Sequence, residues 1–299
     1  MEATHDRSAG RPPRHGLILP NPAVGDDAAA MVHYAVAAEE SGWDGVFLWD
    51  VLIYPAASDA LGAAGDPEPF RPETYAAQID PIITLAGIAT RTERITLGTW
   101  IVPVARRQPW QLARDLATLD RLSHGRVLLG VGLGRRAEYD LFGEEWDPRR
   151  VGRRYDETLE LLARFWSGER VTFHGEFYDV HDVALLPTPA QRPRIPILVA
   201  AFWPNRKPVR RAARWDGLMP VVDPDPEGAA LRNLLSYFRE VSDTPGEVFL
   251  YVDAGATTAE RVDRYGELGV TWLASDVISG ERSTADNLEA VRRGPPPWG

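Results

Sequence analysis

Eight short apolar runs separated by longer amphipathic stretches dominate this chain, at residues 16–19, 45–49, 95–102, 127–131, 197–200, 217–222, 248–252 and 271–274. Several are continuously apolar rather than alternating, as expected of parallel strands covered on both faces. Parallel neighbours need a crossover, and the intervening stretches carry helical spacing. Residues 26–41 place Met31, Tyr34, Ala35 and Ala38 on one stripe and stop at Gly42. Residues 109–122 repeat Leu112, Leu116 and Leu119; residues 158–166 end at Gly168; residues 228–240 carry Leu231, Leu234, Leu235 and Phe238. Thr257 and Glu260 have capping-box spacing ahead of Val262, Tyr265 and Leu268, and a last helix is expected at 285–292. The pattern predicts an α/β fold, a (β/α)8 TIM barrel, although strand count alone also admits a large open sheet.

Two insertions interrupt the alternation. Residues 53–74, rich in Pro, Gly, Ala and acids, follow the second strand. Residues 171–180 read as a hairpin turning at Gly175-Glu176, ahead of a proline-rich stretch (Pro187, Pro189, Pro193, Pro196) that enters the fifth strand. No linker divides the rest. The expected organisation is a disordered tail at 1–14 and one barrel domain at 15–299, ordinary for this fold among 299 residues.

Composition removes several kinds of chemistry. A net charge of −10 argues against a nucleic-acid partner. With no cysteine, the chain has no disulfide, thiolate nucleophile or Cys-ligated metal. Of the 33 basic residues only Lys207 is lysine, and it sits in a loop entering a helix, a poor place for a Schiff base. No run approaches the roughly 18 apolar residues of a membrane span, and the start lacks a signal-peptide core, so a cytoplasmic location is expected. The six histidines show no metal-ligand spacing, and neither a P-loop nor a Gly-x-Ser-x-Gly elbow is present.

In a barrel of this kind the active site forms at the C-terminal ends of the strands. Here those ends carry Trp49-Asp50, Thr99-Trp100, Gly132-Leu133-Gly134, Ala200-Ala201-Phe202-Trp203, Asp223, Asp253 and Asp276. Large flat apolar side chains suit a planar aromatic cofactor, although they would equally plug the mouth. Convergence of Trp49, Trp100 and Trp203 on one cleft is the expectation that distinguishes the two. Gly130-Val131-Gly132-Leu133-Gly134 fails the dinucleotide fingerprint, since Arg135 or Ala137 stands where the last glycine belongs. With few bases between the aromatics, the reactivity is expected to come from a cofactor.

Residues 80–134 carry a family likeness in Thr92-Glu93-Arg94-Ile95-Thr96-Leu97-Gly98-Thr99, in Gln108-Pro109 with Ala113-Arg114, and in Thr118-Leu119-Asp120-Arg121-Leu122-Ser123-His124-Gly125-Arg126 running into Leu129-Gly130-Val131-Gly132. Supporting matches extend it from residue 14 to 222, among them Phe165-Trp166-x-Gly168-Glu169 and Arg211-Ala212-Ala213-Arg214-Trp215-Asp216-Gly217. The chain resembles the luciferase-like flavin- or F420-dependent oxidoreductases. That resemblance implies reduced FMN or coenzyme F420 at the mouth, among Asp50, Thr99, Trp100, Ile101, Gly132, Ala200, Ala201, Phe202 and Trp203. It implies a cis peptide at Trp100-Ile101, and a phosphate held near residues 205–209 with Arg135, Tyr139 and Arg206 as side-chain candidates. Two departures stand out. Asp50-Val51 replaces the frequent Asp-His, and Ala200-Ala201 replaces a frequent Gly-Gly.

The expected activity is hydride transfer to, or oxygenation of, a small organic substrate. Trp49 and Tyr54 would face that substrate, and the 53–74 insertion would cover it as a lid. The implied partners are a separate flavin reductase and a second copy in a homodimer. The alternatives are a non-catalytic flavin-binding paralogue, favoured by Val51, and a hydrolytic barrel using paired carboxylates among Asp50, Asp223, Asp253 and Asp276.

Overall fold

The structure, a computed structural model, describes residues 12–19, 27–55, 75–243, 246–280 and 282–295. Its frame is eight parallel strands: β1 (Arg14–Leu19), β2 (Gly45–Leu48), β3 (Thr96–Thr99), β4 (Val127–Gly132), β5 (Ile197–Phe202), β6 (Gly217–Val221), β7 (Glu247–Tyr251) and β8 (Trp272–Ser275). Each pairs with the next, and β8 pairs with β1, so the sheet closes and the open-sheet alternative falls. Around it run α1 (Ala28–Glu40), α2 (Pro81–Ala89), α3 (Pro109–Leu122), α4 (Arg136–Leu141), α5 (Pro148–Ser167), α6 (Arg206–Ala212), α7 (Ala229–Val241), α8 (Ala259–Glu267) and α9 (Thr284–Arg292). Helix starts are marked chemically: Asp27, Asp80, Asp147, Asn205, Thr258 and Ser283 each accept a first-turn N–H on their side chains.

Several expectations shift for physical reasons. The third apolar run ends as a strand at Thr99; the Trp100-Ile101 peptide is cis, as the resemblance implied, and Val102–Pro103 pairs separately with β4. Helix α5 begins ten residues before the expected 158. Its first turns carry four arginines and read as a charged turn, yet Val151, Tyr155, Leu159 and Leu162 keep one buried stripe. The cap of α8 is Thr258, not Thr257, whose hydroxyl donates to the Asp253 carbonyl. Helices α2 and α4 went unassigned in the sequence. α2 is apolar on most sides and α4 spans only six residues, so neither shows an amphipathic stripe. The hairpin pairs Val171–His174 with Asp179–Val183, three residues longer than expected. β1 begins at Arg14, inside the expected tail; Arg14 pairs with Glu247 and lies over the Trp272 ring. Residues 1–11 and 56–74, the bulk of the tail and of the first insertion, lie outside the described residues.

Rings fill the barrel interior. Phe47 meets Phe249 edge-on at 4.6 Å and Trp272 at 5.5 Å. Space for it comes from three strands at once. A Cβ on Gly16 or Gly45 would stand 2.8 or 2.7 Å from the Phe47 ring, and one on Gly98 closer still. Backbone stitching closes the N-terminal end. Glu39 accepts from the N–H groups of Glu93, Arg94 and Ile95. Asp120, fully buried, accepts from Ala190 N, Gln191 N and Gln191 Nε2. Arg126 donates to the carbonyls of Ser123, Ile95, Ala89 and Thr92.

Gly98→Ala is expected to lower stability by about 1–3 kcal/mol, because the Phe47 ring is enclosed and cannot yield; urea denaturation measures it. Glu39 gives a pH signature. Burial raises its pKa, but the three backbone N–H bonds and Arg94 outweigh that, leaving it below the ordinary glutamate range. Its contribution is therefore complete above the unfolded value of about 4.3 and lost as pH falls through the lower folded value. Glu39→Gln is expected to flatten the acid limb of stability below that pH.

Candidate active site

Where β3 stops, Thr99 takes over the ladder. Its hydroxyl donates to the Gly130 carbonyl at 2.9 Å and accepts from the Gly130 N–H at 3.1 Å. Beyond it, Trp100 N donates to the Leu48 carbonyl, and the Ile101 carbonyl accepts from Asp50 N. The chain is thus held to β2 on one side and β4 on the other while its side chains turn into the mouth. Trp100 meets Trp49 edge-on at 5.4 Å and stacks on Tyr251 at 4.9 Å with 22° between the planes. Val51, Ile101 and Ala200 pack with them. The Ile101 side chain occupies the place where a Cβ at residue 132 would stand, so a larger residue there would have to displace it.

A buried ionic cluster braces this apolar wall. The Asp50 carboxylate is 3% exposed and accepts two bonds from Arg107, at 2.8 and 2.9 Å. Arg107 also reaches Asp80, the cap of α2, at 3.0 Å. Its neighbour Arg106 donates to the Asp50 carbonyl and pairs with Glu138 of α4. Glu138, 2% exposed, accepts in turn from the Leu52 and Ile53 N–H groups. Burial pushes the Glu138 carboxyl above the ordinary range, against the pull of Arg106 and those two N–H groups. Two consecutive arginines therefore tie down the backbone that enters the first insertion and the acid that follows its exit.

On the opposite side Tyr251 donates to Asp276 at 3.1 Å. Burial, with Asp253 nearby, raises the Asp276 carboxyl above the usual aspartate range, although the Tyr251 bond opposes this. Asp276 also lines a cavity of about 480 Å³ with Asp253, Ile278, Ser279, Arg282 and Arg293. At the rim after β5, Arg206 lies 4.9 Å over the Tyr237 ring, and Arg210 donates to the Tyr237 hydroxyl.

Comparison with known proteins adds an independent line. The sequence profile of the luciferase-like monooxygenase family matches residues 8–261. The chain belongs to that family. Its relatives include an uncharacterised protein of Mycobacterium bovis, 30% identical over 265 residues and 86% of each chain. They also include an F420-dependent glucose-6-phosphate dehydrogenase of Microbacterium testaceum, 34% identical over 201 residues. That match covers 66% of this chain and 54% of the dehydrogenase, so it spans about half the length of that relative. Among solved structures, the monooxygenase RslO1 of Streptomyces bottropensis superposes with a TM-score of 0.72 at 23% identity, covering 93% of this chain and 96% of that one, a likeness of fold.

Within this luciferase-like barrel the expected site residues separate into three groups. Trp49, Trp100, Ile101 and Ala200 converge on the mouth, with Gly132 opposite Ile101. Asp50, Thr99, Tyr139 and Ala201 belong to the walls. Asp50 and Thr99 spend their polar atoms as described; Ala201 is fully buried in the outer core; Tyr139 is 2% exposed and donates to the Leu133 carbonyl at 2.7 Å. Burial pushes the Tyr139 hydroxyl up to about 12, which suits a fixed donor. Phe202, Trp203, Arg206 and Arg135 lie apart from the ring cluster. Phe202 is exposed, Arg135 is the half-buried cap position of α4, and Trp203 packs toward Tyr237 with Arg206 on the same ring. The expected convergence of three tryptophans is therefore not met, since only Trp49 and Trp100 meet. Trp203 faces the outer core, and Tyr251 stacks on Trp100 instead. The side chain of Tyr54 lies outside the described residues.

The sequence reading missed Tyr251, Arg106, Arg107 and Glu138. Tyr251 is the last residue of β7, one before the seventh apolar run ends at Val252, and its inward direction follows from alternation with Phe249. The charged trio carried no usable signal, because arginines beside a loop usually read as solvated.

Arg106→Ala strands the Glu138 carboxylate in a buried place and is expected to cost about 3–5 kcal/mol in a denaturant titration. Adding Glu138→Gln is expected to recover part of that loss, since no charge is then left unpaired.

Proposed function

We propose that the chain is an oxidoreductase that holds a reduced flavin or deazaflavin ring, FMN or F420, against the aromatic mouth and acts on a small organic substrate. The observation that carries this is the convergence of Trp49, Trp100 and Tyr251 from three strands on the C-terminal end of a luciferase-like barrel. The chemistry of the wall fits a flat ring: its faces are aromatic and apolar, and glycine at 132 keeps the opposite strand low. The dehydrogenase relative named above as F420-dependent favours F420 over FMN. Arg206 and Arg210 on Tyr237 suit the anionic tail that either cofactor carries.

When bound, the reduced ring supplies a hydride equivalent, a reactivity no side chain of this polypeptide has. The chain's own residues then do three things. Trp49, Val51 and Trp100 keep water from the ring's face. The Arg106–Arg107 cluster fixes Asp50 and the root of the insertion, so the wall does not shift when the site fills. Burial raises the Asp276 carboxyl above the ordinary aspartate range, and the bond from Tyr251 places it beside the ring cluster and the 480 Å³ cavity. That cavity, lined by both carboxylates and guanidinium groups, is our candidate for the substrate side. Asp276 as a proton-exchanging group would meet the need left by Val51, which packs apolar in the mouth.

A small-molecule substrate, a cytoplasmic location and, with FMN, a separate reductase complete the reading. Among the described residues, no helix is long and apolar enough to cross a membrane.

Fluorescence titration of the purified protein with FMN and with F420, oxidised and reduced, tests this. Micromolar binding of one of them is expected, and Trp100→Ala should weaken it about tenfold. Failure of both to bind below the millimolar range, in either redox state, overturns the reading. Asp276→Asn is expected to leave that binding unchanged and to slow oxidation of the reduced cofactor by an alcohol or carbonyl panel.

A further inference from the structure

No two histidines stand at metal-ligand spacing in the sequence, yet the fold brings two of them together. The hairpin before β5 pairs Val171–His174 with Asp179–Val183, setting His174 opposite Asp179. Asp179 and His181 are two apart on one strand, so all three side chains stand on the same face. His174 Nδ1 lies 2.6 Å from one oxygen of the Asp179 carboxylate, and His181 Nε2 lies 3.0 Å from the other. One atom from each residue falls within 4.8 Å of the other two. The imidazole rings are 5.6 Å apart.

We propose that this face is a binding site for a divalent transition metal, taken by two imidazole nitrogens and one carboxylate oxygen. Two neutral nitrogens with one carboxylate suit Zn²⁺, Ni²⁺, Co²⁺ or Cu²⁺; Mg²⁺ and Ca²⁺ prefer oxygen alone. The three side chains are 61–72% exposed, so a fourth position opens to water.

What separates this cluster from a chance group of surface charges is how firmly its backbone is held. The inner face of the ribbon buries Val171, Phe173, Tyr178 and Val180 against the core. Its turn is pinned to α5, where Glu157 accepts from Glu176 N and Phe177 N, and Arg153 makes a double bond pair with Glu176. At the other end Asp182 sits in the left-handed region at φ 54° and takes two bonds from Arg170. It is the extra residue of a bulge opposite Thr172. Little backbone ordering is therefore left for the ion to impose. Bound there, a metal would tie the two strands of the hairpin together and stiffen the approach to β5.

Isothermal titration of the full-length, chelator-treated protein with ZnCl₂, and separately with NiCl₂, tests the proposal. One ion per chain with a micromolar dissociation constant is expected, with MgCl₂ giving no matching signal. Asp179→Asn and the double variant His174→Asn/His181→Asn are expected to weaken binding by about tenfold or more. Both change only solvent-facing side chains, so their metal-free melting temperatures should equal the parent's. Zinc should raise the melting temperature of the parent and not of the double variant. Absence of binding below the millimolar range overturns the proposal, and so does parental affinity retained in the double variant.

Discussion

Space inside the barrel governs this molecule. Phe47, Phe249 and Trp272 fill the lower interior, where a (β/α)8 barrel more often holds branched aliphatic residues. Their bulk is tolerable only because Gly16, Gly45 and Gly98 present no Cβ to the Phe47 ring. The same trade recurs one layer up. Gly130 leaves room for the Thr99 backbone and Gly132 for the Ile101 side chain, and above them Trp49, Trp100 and Tyr251 close on one another. Large rings opposite bare backbone run from the floor of the barrel to its mouth, so the aromatic wall of the candidate site continues the core.

The two ends of the barrel do different work with similar groups. At the N-terminal end, carboxylates and an arginine bond backbone. Glu39 gathers three N–H groups, Asp120 ties the proline-rich stretch to α3, and Arg126 collects carbonyls. At the C-terminal end, Arg106, Arg107, Asp50 and Glu138 bond mainly to one another, in a place too dry to leave any of them alone. The first arrangement holds the strands in register. The second holds a wall rigid beside a site and anchors the segment leading into the long insertion.

A mouth with this composition has little acid–base chemistry of its own. Val51 contributes packing, the Thr99 hydroxyl is engaged on both sides, and the Tyr139 hydroxyl is committed to a carbonyl. Asp276, half-buried, bonded to Tyr251 and raised by burial above the usual aspartate range, stands out as a titratable group adjoining both the rings and a cavity. Such a surface matches a family in which a redox ring carries the reaction and the protein orients and shields it.

Periodicity and local chemistry determined the eight strands, most of the helices and the family, because those signals lie within a few consecutive residues. Stripes such as Leu112-Leu116-Leu119 and the motif around Glu93 and Asp120–Arg126 are of this kind, and the latter is legible because it stitches backbone at the barrel's base. Identity at strand tips also pointed to Trp49, Trp100, Ile101 and Ala200. What sequence could not decide is which way a side chain turns once its strand has ended. Trp203 leaves the mouth for Tyr237, Tyr251 takes a place beside Trp100, and Asp50 is absorbed by Arg107, 57 positions away. Likewise His174 and His181 meet only because the antiparallel pairing of a hairpin sets them on one face. Each of these depends on contacts between residues distant in the chain, and only closure of the barrel and the packing of its insertions bring such residues together.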